Sequence, residues 1–472
     1  MKRINNIAIA AALLLLSTAA SAQSFRSGYF LDNYVYGYRI NPAQINRKSF
    51  FAVGLGNFDL QNNSSFGVAS MLFPTENGVV TGFNKAVSAD TFLGGIPDGA
   101  RVSLNENINI LSVGTAKKKS MHTFEINVRA LGSVALPYDL FAFLKLGGDK
   151  PYDISGINVS ASAIGDVSYG FSRKIGNFMN IGARFHFLVG VADASIYTAN
   201  SSITMGSSET ELKSEIRLQT SGLPSISTDQ DGHLDFNSLA LKGPYIGGFG
   251  GGLDLGVELH PLKGMDIMAS VTEFGVISRN NTTNLKADTV VKYSGGDIKY
   301  EDGTVEADFK AVLDELTKAI VFQDGEAGRR MDVLPFNAQL GLRYKLPFAK
   351  AISFGALGTY HSDKVVPWYE VRGGMTLSAG YFLSLSGNVG YGTFGPTAGG
   401  ALNIQLGPFN LLAGAETFLE KELGKINGIP VPLHSFPLNA HVGLTMTFGG
   451  PAHAEKVAER AAAKAAAKAE KQ

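Results

Sequence analysis

The stretch "TFEINVRA", residues 123–130, places Phe124, Ile126, Val128 and Ala130 on one face of an extended chain and Thr123, Glu125, Asn127 and Arg129 on the other. In a water-soluble sheet the apolar face is the buried one. In a membrane barrel that face meets lipid and the charged face lines the lumen. Alternation alone allows both, so the choice rests on the rest of the chain.

At the start, "MKRINNIAIAAALLLLSTAASAQ" carries Lys2 and Arg3, then an apolar run to Leu16, then Ala20-Ser21-Ala22. This is the pattern of a secretory leader covering residues 1–22. No later apolar run reaches helix-spanning length, so a membrane crossing would have to be made by strands. The 56 glycines, 30 phenylalanines and 16 tyrosines, with 17% charged residues, describe strands, tight turns and aromatic surfaces. There is no cysteine, hence no disulfide. Basic and acidic residues balance at 41 each, which gives no electrostatic footprint for nucleic acid.

Period-two segments recur. Ile181, Ala183, Phe185, Phe187 and Val189 alternate with Asn180, Gly182, Arg184, His186 and Gly190, and Leu253, Leu255, Val257 and Leu259 alternate with Asp254, Gly256 and Glu258. Ala338, Leu340, Leu342 and Tyr344 oppose Gln339, Gly341, Arg343 and Lys345. Tyr344, Phe348, Tyr360, Trp368, Tyr369, Tyr381 and Phe409 fall at strand ends, where an aromatic girdle would sit. With the leader, these features predict an all-β protein, a closed antiparallel transmembrane β-barrel of about 14 strands with 16 as the alternative, in the outer membrane of a Gram-negative bacterium. Phe124, Ile126 and Val128 then face lipid.

Connection lengths orient the barrel, because such barrels keep short turns in the periplasm and long loops outside. Short connections are expected around 117–120, 175–177, 260–264, 347–350, 378–380 and 406–409, and long excursions at 135–161, 200–247, 280–331 and 419–435. The division is a leader over 1–22, an N-terminal plug segment over 23–48, the barrel over 49–449 and a periplasmic helical tail over 450–472. A fourteen-strand wall is too wide for its own side chains to fill. The segment before the first strand is the natural filler, with Tyr29, Asp32, Tyr36, Arg39, Asn41 and Pro42 as its contact residues. Alternation assigns Glu125, Arg129, Arg184, Asp254, Glu258, Arg343 and Lys345 to the lumen lining. "LPYDLFAFLKLGG" (136–148) and an expected helix "TVEADFKAVLDELTKAI" (304–320) bring Phe141, Phe143, Phe309, Leu313 and Leu316 to an external apolar cleft or lid.

The last strand, "HVGLTMTF" (441–448), resembles the insertion signal read by the barrel-assembly machinery, with Gly443, Met446 and Phe448 at its signature positions. "DQDGHLD" (229–235) lacks the full spacing of a calcium loop, and no histidine or serine sits in a catalytic motif, so neither metal, cofactor nor enzyme activity is expected.

The segment "YFLDNYVYGYRINPAQINRKSFFAVGLGNF" (29–58), with Asn41-Pro42-Ala43 before the first strand, resembles the FadL-type long-chain fatty-acid transporters, in which the segment before the first strand folds into the lumen as a plug. "GYFLDNYVYGYRINPA" (28–43) and "YGFSRKIGNFMNIGARFHFLVGVA" (169–192) resemble a Bacteroidetes family of outer-membrane barrels known only as a domain of unknown function. The resemblance implies a fold and a membrane. No fatty-acid-binding residue of the transporters can be matched here. The expected function is a FadL-like channel taking up hydrophobic or small solutes through a plugged lumen, with outer-membrane lipids, the assembly machinery and a hydrophobic small molecule as partners. The alternative is a non-transporting surface or secretion-accessory barrel that binds partners through its external loops.

Overall fold

The computed structural model describes residues 25–449 apart from 55–56, 61, 76–77, 206–209, 223–224, 241–245, 281, 294–297, 302–303, 308–319, 325–327, 420–422, 427–428 and 433–437. The expected leader (1–22) and helical tail (450–472) lie outside the described residues, as do Phe309, Leu313 and Leu316.

In chain order the wall consists of β1 in three pieces (Ser49–Val53, Asn57–Leu60, Asn62–Ser64), β2 (Ala100–Ala116), β3 (Ser120–Leu136), β4 (Asn158–Ile175), β5 (Met179–Met205), β6 (Gly248–Leu262) and β7 (Met265–Arg279). It continues with β8 in two pieces (Arg330–Val333, Phe336–Lys345), β9 (Ile352–Ser362), β10 (Trp368–Ala379), β11 (Leu383–Gly392), β12 (Gly395–Leu406), β13 (Phe409–Phe418) and β14 (Leu438–Phe448). Each pairs antiparallel with its sequence neighbours. Closure comes from β14, which pairs with β13 (Leu412↔Gly443) and with β1 (Ser49↔Phe448, Asn57↔Gly443). The result is a closed barrel of fourteen strands with no free edge.

Which way the strands face answers the question raised by residues 123–130. Thr123, Glu125, Asn127 and Arg129 are all buried, whereas Phe124 and Ala130 are exposed. On β14 His441, Thr445 and Thr447 are buried while Val442, Leu444, Met446 and Phe448 stand outside. Leu340 is 69% exposed and Asp254 0%. A soluble sheet shows the reverse, and an apolar exterior of this extent is the surface of a protein that lives in lipid.

Short turns gather at one end of the barrel. Those at Gly176, Gly264, Gly380 and Gly407 reverse the chain on a glycine with φ of 59°, 85°, 58° and 59°, a region that a side chain disfavours. At the other end Thr210–Gly222 and Thr282–Tyr293 extend the sheet beyond β5. Trp368, expected in the outer girdle, turns inward and stacks on His361 with centroids 5.1 Å apart, because it shares parity with Glu370 and Arg372. Thr304–Ala307, expected to begin a helix, instead pairs with Ile298–Glu301 in a hairpin.

The outward face carries a direct test. Leu340→Arg is expected to cost about 2–4 kcal/mol in equilibrium urea unfolding from lipid vesicles. An exposed leucine on a soluble protein would change stability by no more than about 0.5 kcal/mol.

Candidate functional site

Inside the wall lies the N-terminal segment, residues 25–48. Two short 3₁₀ turns, Arg26–Phe30 and Gly37–Arg39, compact it. Phe25, Phe30, Leu31, Tyr34, Tyr36, Tyr38 and Ile40 join Phe50 of β1, Met121 of β3, Met268 of β7, Leu357 of β9 and Leu412 of β13 in one apolar cluster. Each such side chain contributes roughly 1.5–3 kcal/mol when fully buried. The aromatic bulk that marks the segment in the sequence therefore occupies the space that fourteen strands leave open.

Glycines in the wall make that fit possible. An added Cβ at Gly182 would collide with the Pro42 carbonyl, at Gly256 with the Asn41 side chain, at Gly341 with Tyr29 and at Gly414 with Phe25. All four glycines are at lumen-facing positions, so the backbone of the segment can come up against the backbone of the wall. Asn41 uses this proximity, donating from Nδ2 to the Val257 carbonyl (3.1 Å) and accepting from the Ala43 N–H (3.0 Å).

Ion pairs tie the segment down on three sides. Arg26 reaches Glu370 of β10 (2.7 Å) and Glu416 of β13 (3.1 Å), and the Ser27 N–H donates to Glu416 (2.7 Å). Asp32 accepts from Arg343 (2.5 Å) and Lys345 (2.6 Å) of β8 and from Ser378 of β10 (2.9 Å). Arg39 bonds Glu125 of β3 (2.5 Å), which also accepts from the Tyr38 hydroxyl (2.8 Å). Tyr36 shares a hydrogen bond with Thr445 of β14 (2.9 Å) and lies under the Arg39 guanidinium (4.6 Å).

Glu125 also meets Arg184 at 3.3 Å, and from there a buried network spreads across the lumen. Arg184 pairs with Asp254 (3.4 Å), and His186 lies between Asp166 (2.9 Å) and Asp254 (3.2 Å). Arg129 approaches Glu273 (3.3 Å) and Asp166 (3.8 Å). Glu273 enters through an irregularity of β7. Its φ is 68°, its N–H donates to Asp254, and the β6–β7 register shifts beside it. Glu258 accepts from Asn180 at 2.8 Å.

The residues that alternation assigned to the lumen thus fall into two groups. Glu125, Arg129, Arg184 and Asp254 share the buried network, while Arg343 and Lys345, which hold Asp32, and Glu258 lie nearer the short-turn mouth. A vestibule of about 1070 Å³ opens at that mouth, bordered by Tyr29, Asp32, Arg343, Lys345 and Tyr381. His186 stands in the Arg184 row of the alternation without being named as a lining residue, and Asp166, Glu370, Arg372 and Glu416 were not singled out from the sequence, although the same alternation would have found them. At the long-loop end Phe141 and Phe143, on the helix Tyr138–Leu146, pack into a second apolar cluster with Phe92, Ile96, Tyr152 and Leu212. That helix also lies beside Thr304–Ala307. Gly443 faces the lumen, and Met446 and Phe448 face outward. Among the described residues no group of three acidic or histidine side chains could hold a metal ion.

Removing one member of a buried ion pair leaves the other charged and unsatisfied. Glu125→Ala strips Arg39 and Arg184 of their shared carboxylate. It is expected to lower stability by about 3–5 kcal/mol, read as a reduced urea midpoint in lipid vesicles.

Among solved structures the chain is similar to the toluene transporter TbuX of Ralstonia pickettii, at 8% identity over 89% of this chain and 94% of that one, with a TM-score of 0.43. It is similar to the toluene transporter TodX of Pseudomonas putida (10%, 91% and 96%, 0.40) and to a FadL homologue of Pseudomonas aeruginosa (11%, 89% and 95%, 0.39). The barrel itself rests on the strand registers above. No curated protein matches the sequence. A family model described as a family of unknown function, DUF5723, matches residues 42–416, most of the chain, and the protein belongs to that family.

Proposed function

We propose that the protein is an outer-membrane channel for a hydrophobic or small solute, with residues 25–48 as a plug that closes the lumen at rest. The observation that carries this reading is the way the plug is held. It is fixed by ion pairs to β3, β8, β10 and β13, alongside the apolar cluster it shares with the wall.

Such anchoring suits a closure that has to shift. A buried ion pair often stabilises no better than an apolar replacement of the same shape, because desolvation offsets the attraction. A permanent filler would gain more from a fully apolar interface. The vestibule beside Asp32, Arg343 and Lys345 gives water access to one of the three anchors. Lumen charges of mixed sign give the interior little preference for anions or cations, which favours a neutral solute. During biogenesis β14 would be presented to the barrel-assembly machinery, with Met446 and Phe448 on its outer face.

A second reading, a non-transporting barrel that binds partners through its external loops, draws on the built structure at the long-loop end. There the helices Ala89–Gly94 and Tyr138–Leu146 share one apolar cluster.

Liposome flux separates the two. The intact chain should leak little, and deletion of residues 24–47 should open a conductance. Gly256→Leu, which crowds Asn41 without shortening the chain, should raise leakage in the same direction. A transported apolar solute should co-purify and be visible by native mass spectrometry. Inserted barrels that stay closed without the plug and carry no ligand would refute transport.

A further inference from the structure

Two neighbouring short turns carry five cations and no acid, in "TAKKKSMH" (115–122) and "FSRKIGNF" (171–178). They are adjacent in the wall, since Ser120 pairs with Arg173 and the Lys174 N–H donates to the Lys119 carbonyl (2.8 Å). None of Lys117, Lys118, Lys119, Arg173 and Lys174 makes an ion pair among the described residues. Lys117, Lys118 and Lys174 border the lumen vestibule, whereas Arg173 has the parity of Tyr169, Phe171 and Ile175 and stands on the outside of the barrel, with the exposed Lys119 beside it in the neighbouring turn. A guanidinium on the lipid face is tolerated only near the interface, its stem lying along apolar surface and its head reaching for polar groups.

Arg173 is also one end of a trough. An almost wholly apolar hollow of about 930 Å³ opens on the outer wall between β4 and β10. The registers trace its course. Arg173 pairs with Ile181, which pairs with Val257, then Ala269, Leu340, Gly358 and Val371. The row starts three residues before the turn glycine Gly176 and ends three residues into β10 at the opposite mouth, so it climbs across the membrane. Ala269 and Gly358 keep its floor low, and Phe171 and Tyr360 flank it.

A linear apolar trough with the unpaired Arg173 and Lys119 at its short-turn end suits an apolar chain with an anionic head. We infer that this face holds an anionic phospholipid, with an acyl chain in the trough and the phosphate on Arg173 and Lys119. The inference rests on the outer-membrane reading, which puts the short turns at the periplasmic leaflet. Arg binds phosphate through paired N–H donors, and lysines add charge. A second copy of the chain fits less well. A two-fold axis along the membrane normal would place two such cation clusters at the same depth, facing each other.

The test uses the full chain in nanodiscs of mixed phosphatidylglycerol and phosphatidylcholine, followed by native mass spectrometry of the retained lipids. Phosphatidylglycerol should be retained in preference. Arg173→Gln should reduce that preference roughly fivefold, and Arg173→Gln with Lys119→Gln roughly 25-fold, while Lys174→Gln, on the lumen side, should leave it unchanged. Gly358→Leu fills the trough without touching charge. An added Cβ there has only the Leu340 carbonyl nearby, at 3.8 Å, so the fold should be kept while retention falls. Equal retention of both lipids, retention unchanged by Gly358→Leu, or a dimer in place of bound lipid would overturn the inference. Failure of the chain to enter nanodiscs at all would refute the membrane reading instead.

Discussion

Hydrocarbon offers a peptide group nothing to bond with, and the rest of this structure follows from that. Every N–H and C=O of the wall has to find its partner on a neighbouring strand, so the sheet must close. Here β14 closes it by pairing with both β13 and β1. A closed wall has only two faces and the side chains alternate between them, so the apolar set fixes the outside and leaves Glu125, Arg129, Arg184 and Asp254 within. Fourteen strands then enclose more space than those side chains fill. Residues 25–48 occupy it.

The lumen charges are held where a lone charge would be costly, and each is answered by a neighbour. Glu125 joins two systems, since it bonds Arg39 of the N-terminal segment and Arg184 of β5. Through Arg184 it reaches Asp254 and His186, and through His186 it reaches Asp166. A displacement of Arg39 would therefore leave Glu125 to Arg184 alone and alter the balance along the chain of pairs. Low dielectric makes such a linked set sensitive to any single loss.

Much of this is legible in the sequence because one rule, period two in a wall with a lipid face, governs most of the residues. A separate signal, connection length, gives the six short turns, and the rule sets Glu125, Arg129, Arg184, Asp254, Arg343 and Lys345 on one side of β3, β5, β6 and β8. It would have reached Asp166, Glu370 and Glu416 had it been applied to every strand. Glu273 was beyond it, because an irregularity in β7 breaks the alternation at that residue. Trp368 was misjudged on residue type, where parity with Glu370 pointed inward. Thr304–Ala307 shows a different limit. Its apolar spacing suits a helix, but pairing with Ile298–Glu301 determines the local structure, as tertiary context often overrides propensity. The ion pairs of Arg26, Asp32 and Arg39 join residues from 86 to 390 positions apart, and no local pattern encodes them.

The lumen-facing glycines bear on whether the N-terminal segment is an appendage or part of the fold. Glycine inside a strand costs about 0.5–1 kcal/mol relative to alanine, through the backbone freedom lost on folding. Gly182, Gly256, Gly341 and Gly414 would carry that cost for nothing in an empty barrel. With the segment present, each gives room to a group that a side chain would exclude: the Pro42 carbonyl, Asn41, Tyr29 and Phe25. The four lie on β5, β6, β8 and β13: Gly182 and Gly256 are paired across β5 and β6 and meet Pro42 and Asn41, while Gly341 and Gly414 meet Tyr29 and Phe25 near the start of the segment. Wall and segment therefore fit each other at Phe25, Tyr29 and Asn41-Pro42. The contact is made backbone to backbone at the Pro42 carbonyl and side chain to backbone at Asn41, Tyr29 and Phe25.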